Sequence, residues 1–183
     1  MSVLPVRIYG DPVLRRAAAP IERFDQELRS LVADLNETMH AYNGVGLAAN
    51  QVGLARRVAV VDVPIDDAHR VRATLVNPVI LERQGSEVNE EGCLSIPGIY
   101  EDVSRAYAIA VRAHDEHGQE YDLRAEGYLA RAIQHEIDHL DGVLFIDRLS
   151  PLRRQFLRRA LEALARGEVP EGYHPTAERG GAS

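Results

Sequence analysis

The chain has 183 residues, 45% hydrophobic and 27% charged, with a formal net charge of −7, which fits one domain with its own core in an ordinary soluble globular protein. No apolar run approaches the roughly 20 residues needed to span a bilayer, and the acidic balance argues against a general binder of DNA or other nucleic acid. The N-terminal MSVLPVRIYGD lacks the charged start and apolar stretch of a secretory leader and the Arg-rich character of a transit peptide. The one cysteine, Cys93, cannot close an internal disulfide, which points to the cytoplasm. All 21 basic residues are arginine, a pattern that reads as coding bias.

In chain order, residues 3–9 read as an extended arm, Gly10-Asp11-Pro12 as a turn and residues 13–20 as an irregular wrap. Asp25 is the N-cap of a helix with Leu28, Leu31, Val32, Leu35 and Met39 on one side, ended by Asn43-Gly44. GVGLAANQ (44–51) carries little side-chain bulk, so its backbone can approach a ligand or another strand closely; it lacks the ending of a phosphate loop. Residues 57–63 form a strand. Residues 73–82 form a second, interrupted at Asn77-Pro78, where proline favours an edge or a strand start. Residues 85–91 are acidic and turn-like. Residues 105–115 and 119–123 are paired strands around Glu116-His117-Gly118. A helix follows over 127–140, then a short strand over 143–146. Ser150-Pro151 starts a last helix, running to about Arg166 with Leu152, Phe156, Leu157, Leu161 and Leu164 apolar. The tail, 167–183, has a disordered composition, so one domain is expected over 1–166. Three helices with several mostly antiparallel strands make the fold α+β.

The chemistry concentrates in Gln134-His135-Glu136-Ile137-Asp138-His139-Leu140. Two histidines four apart share one helix face, so both imidazoles can hold one metal ion, with the Glu136 carboxylate in reach of a water on it. Leu129, Ile133, Ile137 and Leu140 make the apolar stripe that buries this helix. A third ligand is needed. The protease extension with a third histidine fails, because Phe145 stands at that position. Glu162, on the last helix, is a carboxylate candidate for a zinc peptidase, although its spacing already explains it as exposed. Cys93, beside a glycine and a turn, is the other candidate, since a thiolate with two imidazoles is a known catalytic set. A structural metal module that binds a partner is a third reading; it needs four closed positions, and no fourth His or Cys stands out. His40, His69, His114, His117 and His174 are expected on surfaces or turns.

GVGLAANQ, EGCLS (91–95) and QHEIDHL (134–140), with YGDP near the start and LSP near the end, resemble in order and spacing the motifs of the peptide deformylase family. The resemblance covers residues 3–166; Asn50 stands where many members carry proline. It implies α+β architecture, with antiparallel sheets packed around a central metal-binding helix and a C-terminal helix. It also implies one divalent metal on Cys93, His135 and His139, with Fe²⁺ as the working ion and zinc, nickel or cobalt as other occupants. The implied reaction removes the N-formyl group from the formylmethionine of nascent polypeptides: a metal-activated water attacks the formyl carbon and formate leaves. Glu136 is the implied general base and acid, while the Gln51 side chain and the Leu94 N–H are the oxyanion donors. Gly46 contacts the peptide main chain, and Val45, Tyr128, Arg131 and Ala132 form the methionine pocket. Asp138 has a structural role and Glu91 supports the ligands; the Arg-rich C-terminal helix reads first as a solvated face, and the resemblance implies docking on the ribosome as the other reading.

Overall fold

The computed structural model describes residues 2–173. The first helix, α1 (Gln26–Ala41), begins where Asp25 accepts from the Leu28 N–H at 3.2 Å, and it buries the predicted stripe from Leu28 to Met39. Strands β1 (Gly46–Ala48), β2 (Val58–Pro64), β3 (Arg70–Gln84), β6 (Ala108–His114) and β7 (Glu120–Glu126) form one antiparallel sheet in the order β1-β2-β3-β6-β7. β4 (Glu87–Cys93) and β5 (Ile96–Arg105) form a separate two-stranded ladder.

The side chains of β2 alternate between two cores. Ala59, Val61 and Val63 face the cluster built on helix α2 (Gly127–Leu140), while Val58 and Val60 face the cluster built on α1. The sheet is thus covered on both faces near β2, which explains its continuous apolar run. Helix α2 packs on β1, β2, β6 and β7. A third cluster joins Val13 and Leu14 to β5, to Leu144–Ile146 and to the last helix, α3 (Pro151–Ala165). That helix starts as expected, with Ser150 Oγ accepting from the Arg153 N–H at 3.3 Å and Pro151 in the first turn. Only its Leu161 and Leu164 are buried; Leu152 and Phe156 are 61% and 72% exposed.

Several expectations need correction. Pro78 lies neither on an edge strand nor at a strand start: β3 runs unbroken between β2 and β6. A register shift between Val76 and Val79 absorbs the missing donor, with Asn77 at φ 51. The Asn77 side chain donates to the Ile21 carbonyl at 2.9 Å and accepts from the Ile21 N–H at 2.8 Å, which holds the bulge. Residues 85–91 are mostly strand: β4 pairs with β5 from Glu87 to Cys93. Its exposed acidic side chains imitate a loop in the sequence, whereas its pairing depends on a partner downstream. Residues 143–146 are not a strand; Phe145–Arg148 is a 3-10 turn whose Phe145 and Ile146 are buried. A short apolar run does not by itself separate a strand from a buried turn. Residues 168–173 run back against the body of the protein; residues 174–183, with His174, lie outside the described residues.

Candidate metal centre

Four elements converge on one cleft of about 390 Å³. Helix α2 presents His135 and Glu136, with His139 buried one turn further on. The β4–β5 hairpin presents Cys93 at the end of β4, followed by Leu94 in its turn. The edge strand β1 brings Gly46, and the 3-10 turn Ala49–Val52 brings Gln51.

Among the described residues, Cys93, His135 and His139 form a group whose ligand atoms all lie within 4.8 Å of one another. Cys93 Sγ lies 3.2 Å from His139 Nε2, which lies 3.2 Å from His135 Nε2. Metal–ligand bonds of about 2.1–2.3 Å in a tetrahedron give edges of roughly 3.4–3.6 Å, so the three atoms fit one first-row divalent ion with little adjustment. Glu162 is no part of this group; it is exposed on α3 and faces Arg158 at 3.5 Å. No fourth Cys or His joins the group among the described residues.

Glu136 is 4% exposed, and its Oε2 has no hydrogen-bond partner among protein atoms. Burial pushes its carboxyl up to about 7 in the metal-free protein. The carboxylate packs directly on Gly46, where a Cβ would stand 2.3 Å from Oε1. The bareness of GVGLAANQ therefore has a local cause: this glycine leaves room for the Glu136 carboxylate. Gln51 has a fixed orientation. Its Oε1 accepts from the Ala48 N–H at 3.0 Å, which turns the amide nitrogen toward Ser95 Oγ at 3.2 Å and Cys93 Sγ at 3.6 Å.

Behind the ligands lies a buried ionic network. Glu91 accepts from His135 Nδ1 at 3.0 Å, from Arg105 Nε at 2.6 Å and from Arg131 at 2.7 Å. Arg105 also reaches Asp138 at 2.6 Å, and Asp138 is gripped from its other side by Arg148. Burial works against ionising Glu91, but Arg105 and then His135 hold its carboxyl well below the usual range. Burial also works against charging His135, yet Cys93 and Glu91 outweigh it and raise the ring to about 10; burial and then His135 push His139 well down. Metal binding needs both rings neutral and the thiol ionised. Phe145, at the position of the missing third histidine, stacks on His135 with ring centroids 6.2 Å apart.

The expected pocket residues Val45, Tyr128, Arg131 and Ala132 all line the cleft. Arg131 differs from expectation in chemistry. It is 3% exposed, and its guanidinium bonds Glu91 and the carbonyls of Glu87 and Val103, so only its aliphatic stem is left for the cleft. Two residues escaped the sequence reading. Arg105 bridges Glu91 and Asp138, and no spacing rule marks a lone arginine at a strand end. Tyr173 lines the cleft from the C-terminal segment, where composition pointed to disorder. Among the histidines expected on surfaces, His40 is exposed and also bonds buried Asp62 at 2.8 Å, while His114 is half-buried and packs its ring on Phe24.

The family model of polypeptide deformylases matches residues 3–155. The chain belongs to the polypeptide deformylase family. It is 50% identical over 173 residues to the peptide deformylase of Alkalilimnicola ehrlichii, covering 94% of this chain and 97% of that one. The crystal structure of the Thermus thermophilus peptide deformylase superposes with a TM-score of 0.83 at 46% identity, covering 91% of this chain and 99% of the other. The Ehrlichia chaffeensis peptide deformylase, solved in complex with actinonin, gives 0.85 at 40% identity, covering 92% and 99%. These are metal-dependent hydrolases that remove the N-formyl group from nascent peptides, and the mixed helices and antiparallel sheets seen here are their α+β architecture. No helix among the described residues is long and apolar enough to cross a membrane.

Proposed function

We infer that this chain hydrolyses the formamide at the N-terminus of formylmethionyl peptides through a Cys93–His135–His139 metal centre, with Glu136 moving the proton. The observation that carries this reading is the convergence of three ligand atoms and an unpartnered buried carboxylate on one cleft. A divalent ion held by the three ligands supplies Lewis-acid activation of water. Glu136 Oε2, free of protein partners, accepts the proton of the attacking water and delivers it to the departing amine as the C–N bond breaks; formate and a free N-terminus result. The Gln51 amide and the Leu94 N–H stabilise the oxygen that becomes negative when water adds to the formyl carbon. The fixed orientation of Gln51 supports its part. The peptide binds as an added strand along the edge strand β1 and the residue before it, where the main chain at Val45 and Gly46 borders the cleft. The methionine side chain packs on Val45, Tyr128, Ala132 and the stem of Arg131. Catalysis belongs to a single unit over residues 1–166. A formylmethionyl-peptide assay on wild type and Glu136→Ala tests this reading: a loss of roughly 10²–10⁴-fold in kcat is expected, and equal rates overturn it.

The working ion is Fe²⁺, with zinc, nickel or cobalt able to replace it, since a thiolate and two imidazoles suit each of these ions. The family resemblance supports this choice. Metal content and rate measured together under anaerobic preparation test it, and full activity with zinc alone after preparation in air counts against it. The substrate class and the thiolate ligand support a cytoplasmic location, where nascent chains are made and thiols stay reduced. The exposed surface of α3, which carries Arg154, Arg159 and the exposed Phe156, docks on the ribosome. Charge reversal at both arginines is expected to weaken co-sedimentation most at low salt, and unchanged co-sedimentation removes this role.

A further inference from the structure

Residues 42–46 form one wall of the cleft, and a single residue of β2 fastens both ends of it. At the front end, α1 closes with Asn43 in the left-handed region at φ 55; the Asn43 N–H donates to the His40 carbonyl at 3.0 Å and the Gly44 N–H to the Met39 carbonyl at 2.8 Å. At the far end, the Val45 carbonyl accepts from the Asp62 N–H at 2.9 Å, one residue beyond the ladder pair Gly46 and Val61. Asp62 also reaches the front end. Its Oδ2 lies 2.8 Å from Nε2 of His40, in the last turn of α1; a carboxylate only accepts, so the ring nitrogen donates. The main chain of Asp62 thus holds one end of the wall and its side chain the other.

Asp62 does not depend on His40 for its own place. It is 1% exposed, and from β3 Arg70 gives Nε to Oδ1 at 2.6 Å and a second nitrogen to the Asp62 carbonyl at 2.9 Å, while Arg72 Nε reaches Oδ2 at 3.1 Å. Asp62 is therefore an anchor fixed to the sheet, and the half-exposed His40 ring is what fastens the end of α1 to it. A hydrogen bond to an ionised group that closes so short a loop removes freedom that a peptide would otherwise have to remove on binding. We propose that His40 is a positioning residue for peptide binding: its bond to Asp62 holds the 42–46 wall where an incoming main chain meets it. The inference rests on the deformylase reading for its substrate, but the order of the wall can be measured without turnover. Gly46, which packs on Glu136, is held separately by its ladder pair Val61, so the effect falls on binding and leaves proton transfer in place.

The test uses the full, metal-loaded chain as wild type, His40→Leu and His40→Gln. Glutamine can bring an amide N–H to the place of the ring nitrogen; leucine cannot. The first readout is kinetic. Loss of one hydrogen bond that orders the wall corresponds to roughly threefold to tenfold in affinity, so His40→Leu raises KM for a formylmethionyl peptide by about that factor and keeps kcat within about twofold. His40→Gln restores most of the KM, whereas a general loss of folded enzyme would lower kcat. The second readout is amide hydrogen exchange without substrate. The Gly44 and Asp62 amides exchange about threefold to tenfold faster in His40→Leu, while those within α3 keep the wild-type rate. An unchanged KM, a loss carried by kcat, a KM that glutamine does not restore, or unchanged exchange at Gly44 and Asp62 overturns the proposal. Absence of deformylation by the wild type sinks the deformylase reading instead, and the exchange comparison still decides whether His40 orders the wall.

Discussion

Gly46→Ala adds one methyl group to the wall of the cleft at a position whose φ lies outside the left-handed region, so the backbone accepts it without strain. The added Cβ would meet Glu136 at 2.3 Å from Oε1, 2.8 Å from Cδ and 2.9 Å from Cγ, where ordinary contact begins at 3.4 Å. The carboxylate has to retreat by about 1 Å. A displacement of that size at a proton-transferring group costs on the order of 10²-fold in rate, while overpacking costs about 1–3 kcal/mol of stability. No ligand atom lies among the colliding atoms, so metal content should stay stoichiometric. The assay is kcat and KM on a formylmethionyl peptide, with metal analysis and a urea melt on the same sample. The decisive comparison repeats the substitution in a Glu136→Ala background, where the colliding group is gone and the methyl should cost little further activity. A Gly46→Ala enzyme that keeps kcat within about threefold of wild type, or that loses as much activity without Glu136 as with it, refutes the link between the glycine and the proton carrier.

Three further outcomes are expected. Cys93→Ala removes one corner of the ligand triangle and should abolish stoichiometric metal; retained metal by elemental analysis takes Cys93 out of the centre. Arg105→Leu leaves Glu91 and Asp138 short of a partner in a buried site and should cost about 3–5 kcal/mol in chemical denaturation; a loss below about 1 kcal/mol shows that Arg131 and Arg148 suffice. Asp62 is buried, which works against its charge, but Arg70, His40 and Arg72 win and hold its carboxyl below the usual aspartate value. Its stabilising contribution is therefore complete above about pH 4 and lost as pH falls through the lower folded-state value. The stability gap between wild type and Asp62→Asn should shrink on acidification below about pH 4, and a gap that widens there contradicts the ion-pair account.

What could be read in the sequence follows the range of the interactions involved. The metal helix was legible because both its chemistry and its burial repeat at helical spacing: His135 and His139 four apart, Leu129, Ile133 and Ile137 four apart. The caps at Asp25 and Ser150 were legible for the same reason, since a side chain answers a backbone N–H three residues away. β4 was not, because its acidic outer face has no local signal and its ladder depends on β5. Pro78 misled because the edge-strand rule assumes a regular ladder, and here a bulge held by Asn77 removes the conflict. The network of Arg105, Glu91, Asp138 and Arg148 spans residues 91–148, and nothing in the chain's periodicity marks its members as neighbours. Tyr173 was hidden by its setting, a stretch of Gly, Pro and charge that reads as tail.

Glu91 sits two residues before Cys93 on β4 and bonds the Nδ1 of His135 on α2. Arg105, from β5, grips that same carboxylate and also Asp138 on α2. The hairpin that carries the sulfur and the helix that carries the nitrogens are therefore riveted to each other by groups that do not touch the metal. In small zinc modules the ion organises the chain, and a chelator unfolds it. Here the two elements are also joined by buried ion pairs of their own, so the ion is not their only link.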